Sequence, residues 1–97
     1  MAKAFFVYIV TDKPFGTLYV GVTNDLARRS FEHREGRTEG FTKRYGLGLL
    51  VYYEMYSTAL EAIAREKAIK KWRRDWKKQA IDQFNPTWRD LYLELQH

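Results

Sequence analysis

Residues 5–22 read Phe5-Phe6-Val7-Tyr8-Ile9-Val10-Thr11-Asp12-Lys13-Pro14-Phe15-Gly16-Thr17-Leu18-Tyr19-Val20-Gly21-Val22. Their pattern decides the fold. The first seven are β-branched or aromatic, and a strand's period of two sends Phe5, Val7 and Ile9 one way and Phe6, Tyr8 and Val10 the other. Asp12-Lys13-Pro14-Phe15-Gly16 holds both proline and glycine and reads as a turn. The strand pattern then resumes, with Leu18, Val20 and Val22 on one face and Tyr19 and Gly21 on the opposite one. Two such runs around a short turn form a β-hairpin. The hairpin brings Tyr8 and Tyr19 near each other on neighbouring strands.

Outward from the hairpin, Thr23, Asn24 and Asp25 are helix-start residues. A helix is expected over about 24–35, stopping at Gly36. Residues 36–47, with three glycines and mixed charge, read as a loop, and residues 48–56 as a third strand. Ser57 or Thr58 caps a second long helix, with Glu61 as the acidic residue of its first turn. That helix runs to about residue 74, where the charged tract around Asp75 breaks or bends it. Asn85-Pro86 marks another boundary, because the residue before proline is pushed out of helical geometry. Asn85 is expected to cap a last segment from Pro86 to Leu95, with proline at the first helical position. The order is ββαβαα. It predicts an α/β chain of the α+β kind: one domain over 1–97, with a small, three-stranded, mainly antiparallel sheet flanked by helices.

The 97 residues are 45% hydrophobic and 16% aromatic, enough for one core. The chain has no cysteine, which excludes disulfides and thiolate metal sites. The apolar run near the N-terminus superficially resembles a signal peptide, but its aromatics and valines suit a strand better. No apolar stretch approaches the ~18 residues of a membrane span, so a soluble, cytoplasmic protein is expected. The net charge is +5, and the excess is concentrated. Arg65, Lys67, Lys70, Lys71, Arg73, Arg74, Lys77 and Lys78 face only Glu66 and Asp75 within one segment. Such a cluster attracts polyanions, and a solvated helix face is the competing explanation.

Several residues could carry chemistry. Tyr8 and Tyr19 present phenols, poor bases in water that act as bases where neighbouring cations stabilise the anion. Strand tyrosines also serve as packing partners. Gly21 leaves room for a ligand or another backbone, or simply ends its strand. Arg29 and His33 are spaced i, i+4 and share a helix face. Arginine grips phosphate oxygens in bidentate fashion, and histidine moves protons near neutral pH. At 100° per residue, Ala59, Ala62, Ile63 and Ile69 lie within about 60° of Glu66 on the helical wheel. A carboxylate within that apolar stripe calls for a cation, a metal or strong donors. A lone carboxylate suits Mg²⁺, which keeps most of its water; a buried salt bridge is the other explanation.

Together these residues resemble the GIY-YIG endonuclease superfamily, in particular its small bacterial members of the URI type. Phe6-Val7-Tyr8 stands where the family has Gly-Ile-Tyr, and Tyr19-Val20-Gly21 where it has Tyr-Ile-Gly. Phe6 in place of the first glycine is the one departure, and the tyrosine is retained. The helix from Thr23 through Arg29 to His33 is similar to the family's, with Arg29 at the catalytic arginine and Glu66 at the metal-binding glutamate. Asn85-Pro86-Thr87-Trp88-Arg89-Asp90-Leu91 is similar to the small members' tail, and Asn85 matches a site-proximal asparagine.

The resemblance implies a metal-dependent endonuclease acting on DNA, in repair or processing, with Mg²⁺ or Mn²⁺ as cofactor. Tyr8 takes a proton from the attacking water, Arg29 stabilises phosphoryl charge, and Tyr19 and His33 position or protonate nearby groups. Glu66 holds the metal. Gly21, Asn85 and the loop from Gly36 to Gly48, with Lys43 and Arg44, are candidate substrate contacts, a mobile solvated loop being the competing explanation for the last. Weak sequence preference, recognition of branched or otherwise structured DNA, or a protein partner that supplies the target is expected. Two other readings stand beside this one. A non-catalytic nucleic-acid-binding module would use the basic helix 65–78 with Trp72, Trp76, Tyr45 and Phe41. An assembly module would turn its basic face to an acidic protein.

Overall fold

The computed structural model describes residues 3–38 and 40–95. Strands β1 (Phe5–Thr11) and β2 (Leu18–Thr23) form the hairpin, followed by helix α1 (Leu26–Arg34) and a single-turn helix α2 (Phe41–Arg44). Strand β3 (Leu49–Tyr56), helices α3 (Ala59–Lys70) and α4 (Arg74–Phe84), and a 3-10 helix (Leu91–Leu95) complete the order. The sheet runs β2-β1-β3 and is antiparallel throughout, so the expected α+β class and three-stranded sheet hold. Among the described residues no helix is long and apolar enough to cross a membrane.

The two faces of the hairpin become two cores. Val7, Ile9 and Val20 pack with Ala62 and Ile69 of α3, Ile81 of α4 and Trp88. Tyr8 and Val10 pack with Leu26 of α1, Leu47, Leu50 and Leu91. Each large aliphatic side chain taken fully out of water contributes about 1.5–3 kcal/mol. The helix caps follow the local code. The Asp25 side chain accepts from Arg28 N at 3.1 Å, and Thr58 accepts from Glu61 N at 3.2 Å.

The structure corrects three boundaries and adds a bulge. The loop 36–47 contains α2, bracketed by Gly40 and Gly46. Both glycines have positive φ, 84° and 64°, a geometry that other residues resist. The helix expected to reach residue 74 ends at Lys70. Lys71 N and Trp72 N bond back to Ala68 O and Ile69 O in a tightened turn, and Arg73 is extended. No glycine or proline marks this break, where Trp72 turns onto the first core. β3 carries a bulge: Ile9 pairs with Tyr52 but Val10 with Leu50. Val51 and Tyr52 therefore both join the first core. Lastly, Asn85 ends α4 instead of starting a helix. Trp88 N closes a turn onto Asn85 O, and Trp88 adopts φ 55°. Its indole is buried against Phe15 and donates to Asp82 Oδ1 at 2.6 Å. Helix resumes only at Leu91.

Candidate active site

Tyr8 lies on the central strand with its side chain on the α1 face, 2% exposed. Its register partner across the hairpin is Gly21, while Tyr19 pairs with Val10. The two tyrosines are therefore diagonal neighbours on one face. A Cβ added at Gly21 would lie 2.4 Å from the Tyr8 hydroxyl oxygen and 2.5 Å from its Cζ. The space that glycine leaves is thus filled by the Tyr8 ring. Gly21 seats the phenol.

Helix α1 supplies the groups around that phenol. His33 is 4% exposed, and its Nε2 lies 3.0 Å from the Tyr8 hydroxyl. Arg29 Nε donates to the same oxygen at 3.4 Å, and its Nη1 donates to Glu32 Oε1 at 3.2 Å. Arg29 and His33 sit one turn apart, so a single helix face delivers both to one oxygen. Burial raises the Tyr8 pKa above the ordinary phenol value, against the hydrogen bond and charge of Arg29. Burial and the Arg29 charge push His33 down to about 4, against Glu32. At neutral pH the site holds a neutral phenol, a neutral imidazole and a guanidinium. The Arg29 side chain is 39% exposed. A cleft of about 130 Å³ lined by Thr23, Asn24, Asp25, Arg28, Arg29 and Glu32 opens beside it.

Behind His33, Thr38 Oγ1 lies 3.4 Å from Nδ1 and 2.6 Å from Thr42 Oγ1. Both threonines are buried. Tyr8, His33, Thr38 and Thr42 thus form one buried hydrogen-bonded chain from β1 through α1 to α2. The sequence carried little signal for this pair. Two threonines in a glycine-rich loop look solvated until α2 folds back.

Tyr19 flanks His33 at 6.1 Å between ring centroids and stacks on Phe41 of α2 at 6.4 Å. That contact seats α2 beside the site, with Lys43 and Arg44 exposed on it. Glu66 stands on α3, against the opposite face of the sheet, with its side chain only 13% exposed. Its Oε2 pairs with Lys70 Nζ at 2.9 Å, and Lys70 Nζ lies 5.8 Å from the Tyr19 ring centroid. Lys70, one cation of the basic segment, thus stands between the carboxylate and Tyr19 at the β2 edge. The wheel reading holds for Ala62 and Ile69, which are buried; Ile63 is exposed.

Asn85 lies elsewhere. It is fully buried, and its Nδ2 donates to Val51 O at 3.2 Å and Arg89 O at 2.8 Å. Its Oδ1 accepts from Arg89 N. These bonds fix the β3 bulge to the end of α4.

No group of three or more His, Cys, Asp or Glu side chains among the described residues could enclose a metal ion. The donor set here is the one carboxylate of Glu66, already paired with a cation. That set fits an ion such as Mg²⁺ that takes few protein ligands and keeps several waters, and does not fit an all-protein cage.

Residues 4–79 match the GIY-YIG catalytic domain. A UPF0213 protein of Staphylococcus haemolyticus is 39% identical over 83 residues, covering 86% of this chain and 99% of the relative. A UPF0213 protein of Staphylococcus aureus is 41% identical over 76 residues, covering 78% and 92%. The solution NMR structure of a UPF0213 protein from Bacillus halodurans superposes with TM-score 0.51 at 29% identity, over 82% of this chain and 84% of that one.

Proposed function

Because the chain belongs to the GIY-YIG family of nuclease domains, we propose that it is a divalent-metal-dependent endonuclease hydrolysing DNA phosphodiester bonds, acting in the cytoplasm in repair or processing. The observation that carries this reading is the Tyr8 hydroxyl held between His33 Nε2 at 3.0 Å and Arg29 Nε at 3.4 Å. A phenol so placed takes a proton from water only while a base or a cation supports it. Here the guanidinium favours the phenolate and the imidazole lies within hydrogen-bond reach of the hydroxyl.

Arg29 has guanidinium nitrogens left for a phosphoryl oxygen beside the open cleft, where they stabilise charge that develops in the transition state. Tyr19 flanks His33, and Lys43 and Arg44, exposed on α2, offer phosphate contacts. Glu66 would hold Mg²⁺ or Mn²⁺, with Lys70 giving way to the ion. When bound, the metal supplies Lewis-acid stabilisation of the phosphate and the leaving oxygen.

The test is a cutting assay on supercoiled plasmid, branched DNA and single strands with Mg²⁺ or Mn²⁺. Wild type should nick in a metal-dependent way, and Glu66→Ala and Arg29→Ala should lose most of the rate while binding persists. Equal cutting by all three proteins sinks the proposal.

A second reading rests on a different surface. Trp72, Trp76, Gln79, Ala80 and Gln83 line a groove of about 250 Å³, and the Arg73 guanidinium sits 5.1 Å from the Trp76 ring. Indoles beside cations suit nucleobases and phosphates. Salt-sensitive binding without cutting would favour a nucleic-acid-binding module over the nuclease.

A further inference from the structure

The Tyr8 oxygen can accept a proton from water only if one lone pair faces the water and its own hydrogen points away. A phenol oxygen has two acceptor positions and one hydrogen. Arg29 Nε fills one acceptor position. If His33 Nε2 carried a hydrogen, it would fill the second, and the phenol hydrogen would turn outward. Tyr8 would then present a donor to the water and could not act as a base. The productive arrangement needs His33 neutral with its hydrogen on Nδ1, leaving Nε2 to accept from Tyr8.

Nδ1 faces Thr38, and Thr38 faces Thr42. We propose that Thr38 and Thr42 are positioning residues that set the tautomer of His33 and thereby turn the Tyr8 oxygen into a proton acceptor. The chain runs in one direction: Tyr8 donates to Nε2, Nδ1–H donates to Thr38, and Thr38 donates to Thr42. Each member is buried, so water does not substitute freely for a missing partner, and the partner on the other nitrogen decides the tautomer.

This inference rests on the nuclease reading for its consequence in the reaction. There the attacking water loses a proton to the Tyr8 oxygen while the Tyr8 proton passes to Nε2. The water oxygen bonds to phosphorus, and the bond to the leaving oxygen breaks. The leaving oxygen takes a proton from solvent, and His33 returns its proton outward through Tyr8.

The test reads the imidazole nitrogens of His33 by ¹⁵N NMR in the full chain without DNA. Wild type and Thr38→Ser should carry the hydrogen on Nδ1, and Thr38→Val should move it to Nε2 or to a mixture. Thr42→Val, which keeps Thr38, provides the same readout if Thr38→Val does not fold. In the cutting assay Thr38→Val should lower kcat about 10- to 100-fold with KM nearly unchanged, as when an outer partner of an active-site histidine is lost. Thr38→Ser should restore it. A wild-type His33 protonated on Nε2, or a Thr38→Val protein that keeps Nδ1–H, overturns the proposal. If wild type cuts no DNA, the nuclease reading falls, and the tautomer comparison still decides the role of the threonines.

Discussion

Gly21 and His33 are where single atoms decide the site. A methyl group at Gly21 would overlap the Tyr8 hydroxyl, so the ring must swing off His33. Gly21→Ala should cost about 1–3 kcal/mol, as overpacking does, read from urea unfolding. It should also lower cutting by about 100-fold or more, the range for losing a general base. His33 links the site to acid stability. Its folded pKa of about 4 lies below the ordinary 6.5, so the unfolded chain takes up a proton first as pH falls. Its effect on stability is nil above about pH 6.5 and unfavourable below, growing until pH reaches about 4. The loss should be of the order of 3 kcal/mol by about pH 4. Urea midpoints at pH 7 and 4.5 should therefore differ more for wild type than for His33→Gln.

At the scale of elements, Asn85 ties α4 to the bulge of β3. Asn85→Ala leaves Val51 O without that buried donor and should cost about 1–3 kcal/mol, with faster hydrogen exchange along β3. Elements also show what the sequence could tell. Alternation put Tyr8 and Tyr19 on one face and Val7, Ile9, Leu18 and Val20 on the other, because strand period is a local property of the backbone. Arg29 and His33 followed from helix spacing for the same reason. The position of the α3–α4 break, the bulge at Val51 and helix α2 were not legible, since each is imposed by tertiary contact. Trp72 turns onto the core, Asn85 holds the bulge, and Phe41 lies against Tyr19. Thr38 and Thr42 gain meaning only through that last contact. The helical wheel put Glu66 in the apolar stripe, but no wheel reveals that α3 lies across the sheet from Tyr8.

For the whole molecule, charge sets how DNA is met. The net charge is +5, with Lys43 and Arg44 on α2 beside the site and a denser group around the α3–α4 junction. Phosphate contacts release counterions, so DNA binding should weaken steeply between roughly 50 and 200 mM salt. Replacing Lys43 or Arg44 by Gln should flatten the log–log salt slope by about one each and weaken binding alike on all sequences. An unchanged slope in the double variant would place the DNA elsewhere, with the Trp72–Trp76 groove as the next surface to examine.

The β2 edge, around which Glu66 and Lys70 approach Tyr19, makes activity more fragile than the fold. Tyr8 and His33 rest on β1 and α1, while Tyr19, which meets the Lys70 partner of Glu66, lies on an outer strand of the sheet. Outer strands open at lower free energy than central ones. A brief detachment of β2 would carry off Tyr19 and the Gly21 seat of Tyr8 and leave β1 paired with β3. Mild denaturant should therefore inactivate the protein before its circular dichroism changes, so that catalysis reports on one strand and spectroscopy on the rest.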